Sequence, residues 1–249
     1  GITEDATTNS GQTVGSFLTG VTDADASPVS GIAISGLASG NGTWQYSVDS
    51  GSNWVDVGTV SASSALLLKS TDKVRFVPNG ENATTASISY HAWDQTGSGS
   101  AGSKVSVAST GADTAFSTAT DTASITVTAV NDAPTVTSGS TVTLTGTDEV
   151  TTSSGTVVSA MLTSAGYGDV DSGASSGIAI TGLTGNGTWQ YSTDGTTWKA
   201  ISSASSGAAV LLGASSQVRY VPDGDNGETA TLSFKAWDTT SGTASTNMT

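Results

Sequence analysis

The stretch "VRFVPNGENATTASISYHAWD" (74–94) decides the fold, because two alternating runs in it flank a turn rich in Gly and Asn. In "SISYHAWD" a period of two places Ile88, Tyr90 and Ala92 on one face, as in a half-buried β-strand. The stretch recurs, nearly unchanged, as "VRYVPDGDNGETATLSFKAWD" (218–238). A strand–turn–strand segment that occurs twice predicts a repeated β domain.

The repeat extends well beyond this stretch. "GNGTWQYS" occurs at 40–47 and at 185–192, and "GIAISGL" (31–37) is matched by "GIAITGL" (177–183). All six tryptophans pair between the copies, at a nearly constant offset. We therefore expect an all-β chain of two tandem Greek-key β-sandwich domains, residues 1–134 and 135–249. The second copy stops sooner after "AWD" than the first, so we expect its last strands to lie outside a window cut from a longer array.

Composition limits the function. Seven basic residues against 21 acidic ones give a net charge of −14, which argues against nucleic acid and anionic membranes as partners. The chain has no cysteine, so it has no disulfide and no thiolate metal site. Calcium is a common brace of extracellular acidic modules. No run of residues reaches the length of a membrane span.

Acidic residues recur at four matching places in the two copies. They are an early pair (Glu4, Asp5 and Asp148, Glu149), a D-x-D (Asp23, Asp25 and Asp169, Asp171), a loop (Asn79, Glu81, Asn82 and Asp223, Asp225, Asn226), and an acid after "AW" (Asp94 and Asp238). An isolated D-x-D is ambiguous, because aspartate is also an ordinary turn residue. Asp49 and Asp194 stand in hairpin-turn positions, and we interpret them as turn residues.

The acids and the linker "TAVNDAPTV" resemble those of cadherin-like repeats in giant secreted bacterial adhesins of the RTX type. The resemblance rests on that linker together with "ITEDA", "VTDADAS", "VPNGEN" and "HAWDQTG". It covers the whole chain and implies interdomain Ca²⁺. It also implies an extracellular protein at the bacterial cell surface, whose partners are neighbouring repeats of the same chain. The linker departs from the usual cadherin pattern, since Ala133 follows Asp132 where an amide is usual.

Position by position, the resemblance implies three sets of calcium ligands. One complete joint would use Glu4, Glu81, Asn131, Asp132, Asp169, Asp171 and Asp238. Half of a joint to a preceding domain would use Asp23, Asp25 and Asp94. Half of a joint to a following domain would use Asp148, Asp223 and Asp225. The function implied is that of an extender, a stiff monomeric spacer that holds a ligand-binding tip away from the cell.

An alternative is a carbohydrate- or partner-binding module in the same adhesin, with glycans or cell-surface molecules as partners. Trp93 and Trp237 lie on the strand face opposite Ile88, where an exposed ring could stack on a sugar. The competing interpretation is that a loop covers both rings, since large aromatic residues are usually mostly buried. The other aromatic residues of the repeat, Trp44, Tyr46, Trp189 and Tyr191, are expected in the core. Catalysis is not expected, because no nucleophile motif is present and the only histidine, His91, is replaced by Lys235 in the second copy.

Overall fold

The computed structural model describes residues 1–23, 30–97, 99–137, 139 and 142–246. Strands predominate, as expected for an all-β chain. The chain forms two compact units, Gly1–Val130 (unit 1) and Asn131–Thr249 (unit 2). The sequence placed the boundary after Pro134, whereas residues 131–134 group with unit 2. No helix in the described ranges is long and apolar enough to cross a membrane.

In the described part of unit 1 there are ten strands and one short helix. The strands are β1 (Ile2–Thr3), β2 (Gln12–Thr13), β3 (Gly31–Ala38), β4 (Gly42–Ser47), β5 (Val55–Asp56), β6 (Ala65–Lys69), β7 (Lys73–Pro78), β8 (Thr84–Trp93), β9 (Lys104–Val105) and β10 (Phe116–Thr128). A 3-10 helix, Val14–Phe17, follows β2. One sheet has the order β1-β10-β8-β3-β6-β9 and the other β2-β7-β4-β5. All pairs are antiparallel except β1 with β10, which is parallel.

The core of unit 1 lies where the two sheets face each other. Ile32, Ile34 and Ile88 from the first sheet pack in one cluster with Trp44 and Phe76 from the second. Strand β7 alternates strictly between partly buried and fully buried side chains, as expected when one face meets the core. This arrangement is a β-sandwich.

A second apolar cluster covers the opposite face of the first sheet in unit 1. Ala33, Leu67 and Trp93 pack there with Val107, and Phe116 contacts the cluster. Strand β6 is therefore buried along four consecutive residues rather than at alternate ones. A sheet covered on both faces has near-continuous apolar strands.

Among the described residues, unit 2 repeats this plan with seven strands and a helix. The elements are β11 (Thr156–Val157), α1 (Val158–Ser164), β12 (Gly177–Leu183), β13 (Thr188–Ser192), β14 (Lys199–Ala200), β15 (Val210–Gly213), β16 (Gln217–Val221) and β17 (Leu232–Trp237). Their sheets have the orders β11-β16-β13-β14 and β15-β12-β17. Ile178, Trp189 and Tyr220 meet in the core, and helix α1 adds Met161 and Leu162.

Candidate functional site

The residues after β10 that begin unit 2 lie beside an acidic loop of the same unit. The backbone N–H of Asp132 donates a 2.8 Å hydrogen bond to Oδ2 of Asp171. A carboxylate oxygen of Asp132 also lies within 4.8 Å of one of Asp171. Two carboxylates at this distance repel each other, and a divalent cation placed between them would remove the repulsion. The structure thus brings together two of the acids expected from the sequence.

Asp171 is oriented by its own D-x-D loop, which follows helix α1. Its N–H donates to Oδ1 of Asp169 at 3.0 Å, and the hydroxyl of Tyr167 donates to the other oxygen of Asp169 at 3.1 Å. Burial, and secondarily the carboxylate of Asp169, raises the pKa of Tyr167 to about 12. Tyr167 therefore remains a hydrogen-bond donor at any physiological pH and keeps Asp169 in place. No sequence pattern pointed to this tyrosine, which stands two residues before the D-x-D.

Asp238 joins this group through the amide of Asn131. The Asn131 amide nitrogen donates to Oδ2 of Asp238 at 2.7 Å, and this bond is the main reason that the pKa of Asp238 lies below its ordinary value. Oδ1 of Asp238 accepts from the N–H and hydroxyl of Thr240 at 3.0 and 2.8 Å. The residue between them, Thr239, has φ 66°, which is rare for a β-branched side chain. The carboxylate is thus ionised, and a strained turn fixes its direction.

Unit 1 has the same turn after β8. The N–H and hydroxyl of Thr96 both lie 2.7 Å from Oδ1 of Asp94, and Gln95 between them has φ 61°. The D-x-D expected to accompany Asp94 is described only in part: Asp23 is exposed, and Asp25 lies outside the described residues. Of the two acids of this half-joint that are described, Asp94 is placed in a turn like that of Asp238.

Glu4 is the most unusual acid of unit 1. Its side chain is fully buried, with 0% exposure. Oε1 accepts the N–H of Val130 at 2.7 Å, whereas Oε2 has no hydrogen-bond partner among the described residues. An unsatisfied buried carboxylate oxygen is costly and calls for an explanation such as an ion. The parallel pairing of β1 with β10 brings Glu4 and Val130 together.

Other expected ligands lie apart from these contacts. Glu81 is exposed, and its Oε2 accepts the Asn79 amide at 2.9 Å. Within the described ranges, Glu81 and Asp94 belong to no group of three or more acids at metal-ligand spacing. The residues assigned to a following joint, Asp148, Asp223 and Asp225, are all exposed. The placement of Glu81 gives no support to its expected role.

The donor chemistry of the grouped residues suits a hard cation. Asp132, Asp169, Asp171 and Asp238 supply carboxylate oxygens, and Asn131 supplies an amide oxygen. Ca²⁺ prefers such ligands and accepts irregular geometry with several oxygens. Separately, the buried Oε2 of Glu4 in unit 1 has no hydrogen-bond partner within the described ranges, as expected of an oxygen that binds a cation. These side chains therefore fit Ca²⁺, and they are poorly suited to a soft transition metal.

The tryptophans proposed for sugar stacking are buried, so that assignment is wrong. Trp93 is 3% exposed and Trp237 is 8% exposed. Trp93 pairs with Gly31 across the sheet, and a Cβ on that glycine would lie 2.9 Å from the ring, so the glycine makes room for it. Trp237 packs in the same way against Gly177 and donates its indole N–H to Ser241. Neither ring has a free face for a ligand.

A different tryptophan, not predicted from the sequence as a ligand contact, is accessible in each unit. Arg75 lies over the ring of half-buried Trp54, and Arg219 lies over Trp198. In both units the arginine also donates from Nε to a glutamine of the neighbouring strand, Gln45 in unit 1. Both pairs recur in the sequence, which was the available signal.

Comparison with known proteins adds no assignment: no family model, no curated protein and no solved structure matches the chain.

Proposed function

We propose that the chain consists of calcium-stiffened extender repeats of a bacterial cell-surface adhesin, which hold a ligand-binding tip away from the cell. The observation that carries the proposal is the arrangement in unit 2, where Asn131 and Asp132 are hydrogen-bonded to Asp238 and Asp171. Residues that follow the last strand of unit 1 are thereby joined to acids expected as calcium ligands. The adhesin context comes from the sequence resemblance alone.

Calcium would act by neutralising carboxylates that otherwise repel one another. Asp132, Asp169, Asp171 and Asp238 would hold the ion in unit 2, and Glu4 is the candidate ligand of unit 1. The chain's own residues prepare the site: Tyr167 orients Asp169, and Thr240 orients Asp238. Extracellular modules bind Ca²⁺ with Kd values on the order of 10⁻⁴–10⁻³ M, so such a site fills outside the cell and empties in the cytosol. Filling it would restrict the linker residues, and the array would stiffen after export.

Small-angle scattering and thermal unfolding, each in Ca²⁺ and in EDTA, test the proposal. We expect Ca²⁺ to narrow the distribution of particle dimensions and to raise Tm, because a ligand that binds only the folded state stabilises it. The double variant Asp169→Asn/Asp171→Asn should lose both responses and stay folded in EDTA. The exposed pair Asp56→Asn/Asp113→Asn makes the same change of charge and should respond like the wild type. Identical dimensions and Tm in Ca²⁺ and EDTA for the wild type would rule out the extender mechanism.

A further inference from the structure

Unit 1 contains an open cavity of about 340 Å³ beside the second sheet, and none of the acids expected as calcium ligands lines it among the described residues. Its lining includes Trp54, Lys73, Arg75 and three hydroxyl side chains, Thr8, Ser10 and Ser50. None of the described residues that line it is acidic, although the chain carries a net charge of −14. Two of the chain's seven basic residues thus meet at a place without a carboxylate. The charge that lines the cavity is therefore positive, opposite in sign to the net charge of the chain.

One side of the cavity is a rigid stack of side chains. The guanidinium of Arg75 lies 4.2 Å from the ring centre of Trp54. Its Nε and Nη2 donate to Oε1 of Gln45 at 2.9 and 2.7 Å, and Nη1 donates to the carbonyl of Asn9 at 3.1 Å. Three of its five N–H groups are therefore used in holding the structure, and two remain. Arg75 and Trp54 form a preorganised wall.

Lys73 takes no part in the stack of Arg75 on Trp54 or in its hydrogen bonds. It is half-buried, and its ammonium makes no hydrogen bond or ion pair within the described ranges. The hydroxyls of Thr8, Ser10 and Ser50 likewise have no side-chain hydrogen bond there. An ammonium without a protein partner, beside three available hydroxyls, can bind an anion that also carries hydroxyl groups.

Unit 2 shows that the fold itself does not require this lysine. The stack of Arg219 on Trp198 is the same, at 4.0 Å, but Gln217 takes the strand position that Lys73 has in unit 1. The hairpin turn is also one residue shorter, so Ser50, with φ 64°, has no counterpart. The framework is therefore shared, whereas the cation and one hydroxyl belong to unit 1 alone.

We propose that the cavity of unit 1 binds a sugar bearing a carboxylate, such as a uronic acid residue. Lys73 pairs with the carboxylate, and the remaining N–H groups of Arg75 donate hydrogen bonds to hydroxyl oxygens of the sugar. The three hydroxyl side chains exchange hydrogen bonds with the sugar's hydroxyl groups, and Trp54 provides an apolar surface. The inference does not depend on calcium or on the extender role, because none of these residues belongs to the acidic group. Unit 2, with Gln217, does not bind such a sugar.

Titration of ¹⁵N-labelled protein with D-glucuronate tests the proposal, with D-glucose and acetate as comparison ligands. We expect the indole N–H signal of Trp54 to shift, with a Kd on the order of 1 mM for a single sugar of this size. The signal of Trp198 should stay unchanged. D-glucose and acetate should each bind at least about tenfold more weakly, because glucose lacks the carboxylate and acetate lacks the sugar ring with its hydroxyl groups. Added NaCl should weaken binding of glucuronate to the wild type, which tests the role of the cation without any substitution.

The decisive variant is Lys73→Gln, which reproduces the residue found in unit 2. It should fold, and it should bind glucuronate about tenfold or more weakly. Lys235→Gln removes the same charge from an exposed position and should bind like the wild type. The proposal is wrong if Trp54 does not respond to glucuronate, if acetate or glucose binds equally well, or if Lys73→Gln binds like the wild type.

Discussion

The guanidinium carbon of Arg75 lies 4.2 Å from the centre of the Trp54 ring. The contact recurs as Arg219 on Trp198 at 4.0 Å, and in both units the arginine donates from Nε to a glutamine on the adjacent strand. A cation above an aromatic face is stabilising, and the planar guanidinium is better suited to it than an ammonium. The stack therefore stabilises the sheet β2-β7-β4-β5 of unit 1 and the sheet β11-β16-β13-β14 of unit 2.

Replacing this arginine with lysine should weaken each unit without unfolding it. Arg75→Lys keeps the charge but loses the planar stack and the paired hydrogen bonds to Gln45. We expect the free energy of unfolding of unit 1 to fall by about 1–2 kcal/mol, measured by urea titration with amide signals of that unit as the probe. Arg219→Lys should have a similar effect on unit 2.

Lys235→Arg serves as the control for this pair, because Lys235 is exposed. The free energy of unfolding of this variant should stay within about 0.5 kcal/mol of the wild-type value. If Arg75→Lys is as stable as the wild type, the stack adds no stability beyond that of a positive charge at this position.

Trp93→Ala should destabilise unit 1 strongly, since the ring packs in an apolar cluster with Leu67 and Val107. Removal of a buried aromatic side chain typically costs about 3–5 kcal/mol. Thermal unfolding followed by amide signals of unit 1 measures the loss. Trp54→Ala, at a half-buried position, should cost less. The opposite result would be a Trp93→Ala variant that folds with the wild-type Tm but loses binding of a glycan that the wild type binds. Trp93 would then be a stacking residue in spite of its burial.

The sequence predicted those features that depend on local pattern and on the internal repeat. Alternation in "SISYHAW" predicted a strand with one buried face, and Asp49 and Asp194 are turn residues as expected: each accepts backbone N–H groups two to four positions later. The D-x-D also identified Asp171 as a neighbour of the linker. The orientation of Asp169, to which Asp171 donates its N–H, depends on Tyr167, and no pattern within the D-x-D itself indicates that contact.

Features that depend on distant segments could not be predicted in the same way. Alternation placed Trp93 on the second face of its strand, but Val107 and Phe116, which help to cover that face, follow an irregular stretch of chain. The hydrogen bond from Val130 to Glu4 joins residues at opposite ends of unit 1. The cavity beside Lys73 requires three separate segments to meet, and none of them carries a recognisable motif.

Asp49 should titrate at unusually low pH. Hydrogen bonds, chiefly from the backbone N–H of Asn53 and the hydroxyl of Ser47, lower its pKa from 3.8 to about 2. A depressed pKa in the folded state means that the ionised carboxylate stabilises the fold fully above pH 3.8, and that this stability is lost as pH falls through about 2. The amide signal of Asn53, followed by NMR, should therefore shift with a midpoint near pH 2.

The variant Asp49→Asn supplies the control for this titration. It should lack the Asn53 transition, and its Tm should fall below that of the wild type by an amount that is largest above pH 3.8 and shrinks at lower pH. A wild-type midpoint near the ordinary aspartate value would show that these hydrogen bonds do not hold the carboxylate in its charged form.

Glu4→Gln should have opposite effects in EDTA and in Ca²⁺. Gln keeps an oxygen for the N–H of Val130 but removes a charge from a fully buried side chain whose Oε2 has no hydrogen-bond partner within the described ranges. In EDTA the variant should be as stable as the wild type or more stable, because a buried unpaired charge is costly. In Ca²⁺ the variant should be less stable by about 1–3 kcal/mol, because it has lost a charged ligand. The exposed Glu149→Gln makes the same chemical change and should alter Tm little in either solution. If the variant lost the same stability in EDTA and in Ca²⁺, the role of Glu4 would be to accept the Val130 hydrogen bond and not to bind a cation. Only the loss of a metal ligand changes stability differently in the two solutions.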